Sequence, residues 1–74
     1  MLREDLYGIL THLRRANREV DLILVGDSRP IELRNVVTIE ETGPGNLIEV
    51  KTRQNNIWID PSHVAAAYSA RADI

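Results

Sequence analysis

Turn signals recur at short, regular intervals through the second half of this chain and leave room for little other than short strands. Gly43-Pro44-Gly45-Asn46 and Gln54-Asn55-Asn56 are turn clusters, and Asp60-Pro61-Ser62 interrupts the last apolar stretch. Between them lie Leu47 to Arg53, with Ile48, Val50 and Thr52 on one face, and the brief Ile57-Trp58-Ile59. Strands this short, joined this tightly, predict a small, strongly bent antiparallel barrel.

The first half reads differently. Leu2, Leu6, Ile9, Leu10, Leu13 and Ala16 fall at three- and four-residue spacing, which predicts an amphipathic helix from Leu2 to about Asn17. Glu4 and Asp5 sit near its positive end, and Arg14, Arg15 and Arg18 near its negative end. Gly8 weakens the helix by about 1 kcal/mol relative to Ala and suggests a close packing contact. Val20 to Val25 follows as a strand, with Val20, Leu22 and Leu24 on one face. Ile23 and Val25 lie on the other, so both sides should be at least partly covered. Gly26-Asp27-Ser28-Arg29-Pro30 is a turn. Ile31 to Glu41 then reads as a long strand whose phase breaks at Asn35, so a bulge or kink is expected near Arg34-Asn35. The last segment has two readings. Asp60 before Pro61 is a good cap for a helix running to Ala72, which the alanines favour. The other reading is one helical turn, Pro61 to His63, followed by a strand from Val64 to Ser69.

Seventy-four residues make one domain, residues 1–74, with a helix over 1–18 and a barrel over 20–70. So short a chain gains little from its core, and no cysteine is present to add a disulfide or a thiolate metal site. Self-association is the remaining source of stability, and a homo-oligomer is expected. The formal net charge of −2 provides no global field for nucleic acid, so any such binding must use a local patch. The apolar run Leu22 to Val25 is far too short to span a bilayer, and the N-terminal residues carry acids rather than a signal region. A cytoplasmic, non-membrane protein is expected.

Several segments resemble the Sm-like superfamily. Leu13-Arg-Arg-Ala-Asn-Arg18 is similar to the arginine-rich helix end of bacterial Hfq, and Val20-Asp-Leu-Ile-Leu-Val-Gly26 resembles the strand and turn that follow it there. Asn46-Leu-Ile-Glu-Val50 resembles the Asn-led third strand of Sm proteins. Ile57-Trp-Ile-Asp-Pro-Ser-His-Val64 stands where the final signature would be, and similar segments occur in SH3-like barrels. Where Sm proteins carry an Arg-Gly pair this chain has Asp60-Pro61, and where Hfq carries Lys-His it has Pro61-Ser62. The resemblance implies a mainly β fold with an N-terminal helix: a small, five-stranded, Sm-like or SH3-like antiparallel barrel. It favours the single turn at Pro61 to His63 over the long helix. It also implies ring assembly, and adds Asn46 to the residues expected to contact nucleic acid.

Arg14, Arg15 and Arg18 are the strongest functional candidates. Three guanidiniums within five residues can contact successive phosphates, with geometry suited to bidentate pairing. Helix-dipole complementation explains the same cluster without a ligand. Lys51 and Arg53 form a weaker basic pair on a polar strand face. Trp58 faces away from Ile57 and Ile59 and fits either base stacking or, more commonly, a core or subunit interface. Tyr7 and Tyr68 are equally open. Ile23, Val25, Trp58 and Tyr68 are the expected interface residues. Asp60, Ser62 and His63 look superficially catalytic, but Asp60 is better explained as a cap, and no nucleophile elbow or glycine-rich anion loop accompanies them. Glu40 and Glu41 alternate across a strand and form no acid–base pair. No enzyme, cofactor or metal is expected. The first functional reading is a ring-forming module that binds RNA through an arginine rim. The second is a protein-interaction or scaffold subunit with a protein partner and no nucleic-acid role.

Overall fold

The computed structural model describes residues 1–41 and 45–70. The Gly43-Pro44 part of the expected hairpin turn lies outside these, as do residues 71 and 72 of the longer final helix. One helix, α1 (Arg3–Arg15), precedes six strands: β1 (Val20–Leu24), β2 (Ile31–Leu33), β3 (Val36–Glu41), β4 (Ile48–Thr52), β5 (Asn56–Ile59) and β6 (Val64–Tyr68). A 3₁₀ turn, Pro61–His63, opens directly into β6. Helix and strand boundaries lie close to those read from periodicity. The long-helix reading of the last segment gives way to a turn followed by a strand.

The expected five-stranded barrel does not form. The strands make two antiparallel three-stranded sheets, β2-β1-β6 and β3-β4-β5, and neither closes into a barrel. The cause is at Asn35, where the expected interruption falls. Its φ of 56° places it in the left-handed region, which Asn tolerates better than most residues. The long strand therefore becomes two strands in different sheets rather than one bent strand shared between them. A register shift between Val36 and Thr38 leaves Val37 without a partner on β4, which turns the start of β3 further.

The core lies where the sheets and helix meet. Leu6 and Leu10 from α1, Val20 and Leu22 from β1, Leu33 from β2, Ile48 and Val50 from β4, Ile59 and Val64 are buried. The helix packs against β3 and the 3₁₀ turn. Its apolar stripe is narrower than its spacing suggests. Leu2 is 64% exposed, and Ile9 and Ala16 are also on the surface; Leu6 and Leu10 are fully buried, and Leu13 packs against the core part-buried. A Cβ at Gly8 would meet nothing within 4 Å, so no close approach explains that glycine. Among the described residues, no helix is long and apolar enough to cross a membrane.

The Asp60 cap forms as read. Asp60 Oδ1 accepts from the Ser62 amide at 3.0 Å and the Ser62 hydroxyl at 2.7 Å, and Oδ2 lies 3.1 Å from His63 Nδ1. The Ser62 bonds, the hydroxyl first, hold the Asp60 carboxyl below its ordinary pKa of 3.8. A depressed folded-state pKa means that the cap's stabilisation is complete above the unfolded value and is lost as pH falls through the folded one. The melting-temperature gap between the wild type and Asp60→Ala should therefore be open at about pH 5 and narrow towards about pH 2. A gap of equal size at both pH values would show that the carboxylate charge contributes nothing there.

Candidate nucleic-acid interface

The sequence-predicted arginines sit at a helix end built by a specific cap. Asn17 adopts a φ of 56°, its amide donates to the Arg14 carbonyl, and the Arg18 amide donates to the Leu13 carbonyl at 2.9 Å. This is the Schellman arrangement, with Asn in the left-handed position that usually holds Gly. It places Arg14 in the last turn, where its side chain reaches β3, and Arg18 just beyond it. Arg15, one position round the helix from Arg14, is exposed and stands outside the cleft that the other two line.

That cleft, of about 310 Å³, is lined by Arg14, Asn17, Arg18, Glu19, Asn35 and Arg53, together with Val36 and Val37. Three segments distant in the sequence line it, and two of them, the helix end and the turn after β4, supply its cations. Arg14 Nε donates to the Val37 carbonyl at 2.7 Å, the carbonyl of the unpaired bulge residue. Arg18 Nη1 donates to the Ala70 carbonyl at 2.7 Å. Arg53 comes from the turn between β4 and β5. There the Thr52 hydroxyl accepts from the Gln54 and Asn55 amides at 3.2 and 2.9 Å, and the Arg53 amide donates to the Asn35 carbonyl at 3.2 Å. The two asparagines held at positive φ both border this cleft. Each guanidinium of Arg14 and Arg18 spends one N–H on a carbonyl and keeps the rest of its fork for a ligand.

Among the described residues, no carboxylate lies within ion-pair distance of Arg14, Arg18 or Arg53. The one acid on the cleft wall, Glu19, is paired with Arg34. Arg34 Nε meets its Oε2 at 3.0 Å, while Arg34 Nη1 meets Asp21 Oδ1 at 2.9 Å and Nη2 approaches Glu32 at 3.9 Å. Arg34 also donates to the Val20 and Leu33 carbonyls, which anchors it across β1 and β2. The hydrogen bond to Asp21 leads the causes that raise the Arg34 pKa, and the surrounding acids add to it. Sequence reading missed both Arg34 and Arg53 as members of this site. Lys51-Arg53 was visible only as a basic pair, and nothing local connects Arg34 to Glu19 and Asp21 at once.

The remaining sequence-predicted residues are dispersed. Asn46 is exposed after Gly45, whose φ is 99°, and does not line the arginine cleft. Ile23 is half-buried on the central strand β1, while Val25, Trp58 and Tyr68 are 65%, 57% and 49% exposed. Trp58 lies on β5 and Tyr68 ends β6, so two of the four candidates sit on the outer strands of different sheets. The Asp60 group has its carboxylate between serine and histidine, whereas a nucleophilic triad needs histidine in the middle. Among the described residues, no group of three His, Cys, Asp or Glu side chains could hold a metal ion. No family model, curated protein or solved structure gives a significant match to this chain.

Proposed function

We propose that this chain is a non-enzymatic, self-associating module that binds RNA through its arginine-lined cleft and the neighbouring Arg15. The observation that carries this reading is the convergence of Arg14, Arg18 and Arg53 on one polar cleft, with no described carboxylate paired to any of them. Helix-dipole complementation accounts for Arg14 and Arg15, but it gives no reason for Arg53 to join them from a distant turn. The similarity of Leu13 to Arg18 to the arginine-rich helix end of Hfq is consistent with the same use. Self-association would pair the outer strands β5 and β6, each hydrogen-bonded on one side only within the chain, and repeat the cleft around an assembly. A cytoplasmic location goes with this reading.

The test is a combined Arg14→Gln, Arg15→Gln, Arg18→Gln variant, assayed for RNA binding across a salt series. Losing three phosphate contacts should flatten the slope of log K against log salt by about 2, from about 0.7 per contact on single strands. Affinity near physiological salt should fall at least about tenfold, while light scattering shows an unchanged assembly. Undiminished RNA retention by a folded variant would remove the proposal. The exposed Val25, Trp58 and Tyr68 favour a second reading, a scaffold subunit that binds protein. Negligible polyanion binding near physiological salt would select it.

A further inference from the structure

We propose that the arginine cleft and the hollow beside it form a two-part seat for one nucleotide unit of single-stranded RNA. In this arrangement the phosphate lies among Arg14, Arg18 and Arg53, and the base stacks on Tyr68. The inference rests on the RNA reading above and adds to it a base-binding compartment with a named platform.

The hollow has a volume of about 320 Å³, almost that of the cleft, and Arg18 and Glu19 line both. The two spaces are therefore neighbours around one guanidinium. Their linings differ in kind. The cleft presents guanidiniums and the polar termini of Asn17 and Asn35. The hollow exposes more apolar than polar surface, Tyr68 and Ala70 among its walls, although Arg18, Glu19, Asp21 and Arg34 line it too. A nucleotide has the same division, a charged phosphate beside a flat, largely apolar base face. Tyr68 ends an outer strand with its side chain half-exposed, which leaves the ring accessible on the solvent side. Aromatic stacking of this sort tolerates any base, because every base has a π-face.

Two acids line these spaces, Glu19 where the two meet and Asp21 within the hollow, and both would repel a phosphate if unpaired. Arg34 engages both, Glu19 through Nε at 3.0 Å and Asp21 through Nη1 at 2.9 Å. Arg34 is thus a positioning residue. It pairs with the two carboxylates and leaves the cations of the cleft to the ligand. The side-chain amides of Asn17 and Asn35, both in left-handed backbone, add neutral donors to the same space.

The experiment uses the full chain and two fluorescent probes of equal length, a riboadenylate hexamer and an abasic ribose-phosphate hexamer, in anisotropy titrations over a salt series. The wild type should bind the base-bearing probe roughly five- to a hundredfold more tightly than the abasic one. Tyr68→Leu should erase that preference and leave the salt slope unchanged. Arg53→Gln should weaken both probes together and flatten the slope by about 0.7. Both side chains are exposed, so thermal melts should show each variant folded. Equal wild-type affinity for the two probes overturns the base seat while the RNA reading stands, as does a base preference that survives Tyr68→Leu. An unchanged slope in Arg53→Gln removes Arg53 from the phosphate seat and overturns the proposal as stated. Failure of the wild type to bind either probe overturns both readings.

Discussion

Leu22→Ala should destabilise the chain by about 3 kcal/mol, read as a lower denaturation midpoint with an unchanged denaturant slope. Leu22 is 0% exposed and sits on β1, the central strand of its sheet, opposite Ile31 on one side and Ala67 on the other. Truncation there removes transfer free energy and leaves a cavity, because flanking strands held by backbone pairing cannot close in to fill it. Domains typically hold about 0.05–0.15 kcal/mol per residue, so a chain of this length has roughly 4–11 kcal/mol in total. The substitution therefore removes a large share of its stability. Trp58→Ala, at a 57% exposed position on the outer strand β5, serves as the control and should cost much less in a monomer. A loss below about 1 kcal/mol at Leu22 would mean that the two sheets and helix do not enclose it as described.

Asn35→Val should lower stability by about 2 kcal/mol, whereas Asn35→Gly should be nearly neutral. The φ of 56° places Cβ close to the following carbonyl, at a cost of roughly 1–2 kcal/mol for an ordinary side chain and more for a β-branched one. Packing cannot offset this cost, since the Asn35 side chain is exposed. The hydrogen bond that the Asn35 carbonyl accepts from the Arg53 amide is a backbone contact and survives either substitution in principle. The comparison therefore isolates backbone strain. At about 4–8 °C per kcal/mol, the valine variant should melt roughly 8–16 °C below the wild type. A valine variant as stable as the wild type would argue that the chain runs straight through residue 35 and that the division into two sheets is wrong. The same kink forms one wall of the arginine cleft, so the valine variant should also bind RNA less well if the proposed site is real.

Features governed by neighbouring residues were largely legible. Asp60-Pro61-Ser62 reads as a cap and forms one, because its hydrogen bonds link residues two positions apart. The break at Asn35 follows from lost alternation and from an Asn that tolerates positive φ. The helix end carried a further signal, Asn17 in the place a left-handed cap requires, which reading for apolar periodicity alone passed over. Other features misled for physical reasons. Ile9 shares the apolar spacing of Leu6 and Leu10 but not their burial, because the sheets cover only part of that stripe.

The sequence by itself determined the helix, most of the strand segments, the Asp60 cap and the arginines at the helix end. Periodicity, caps and turn residues act over a few positions and leave direct traces in the order of residues. Only the tertiary structure decided that the strands divide into two open sheets, that Arg53 joins Arg14 and Arg18, and that Arg34 pairs with Glu19. These outcomes depend on which distant backbones pair and in what register, as burial of Leu22, Leu33, Ile48 and Val50 against Leu6 and Leu10 selects one arrangement. No spacing along the chain relates residue 14 to residue 53. Their meeting is a consequence of packing.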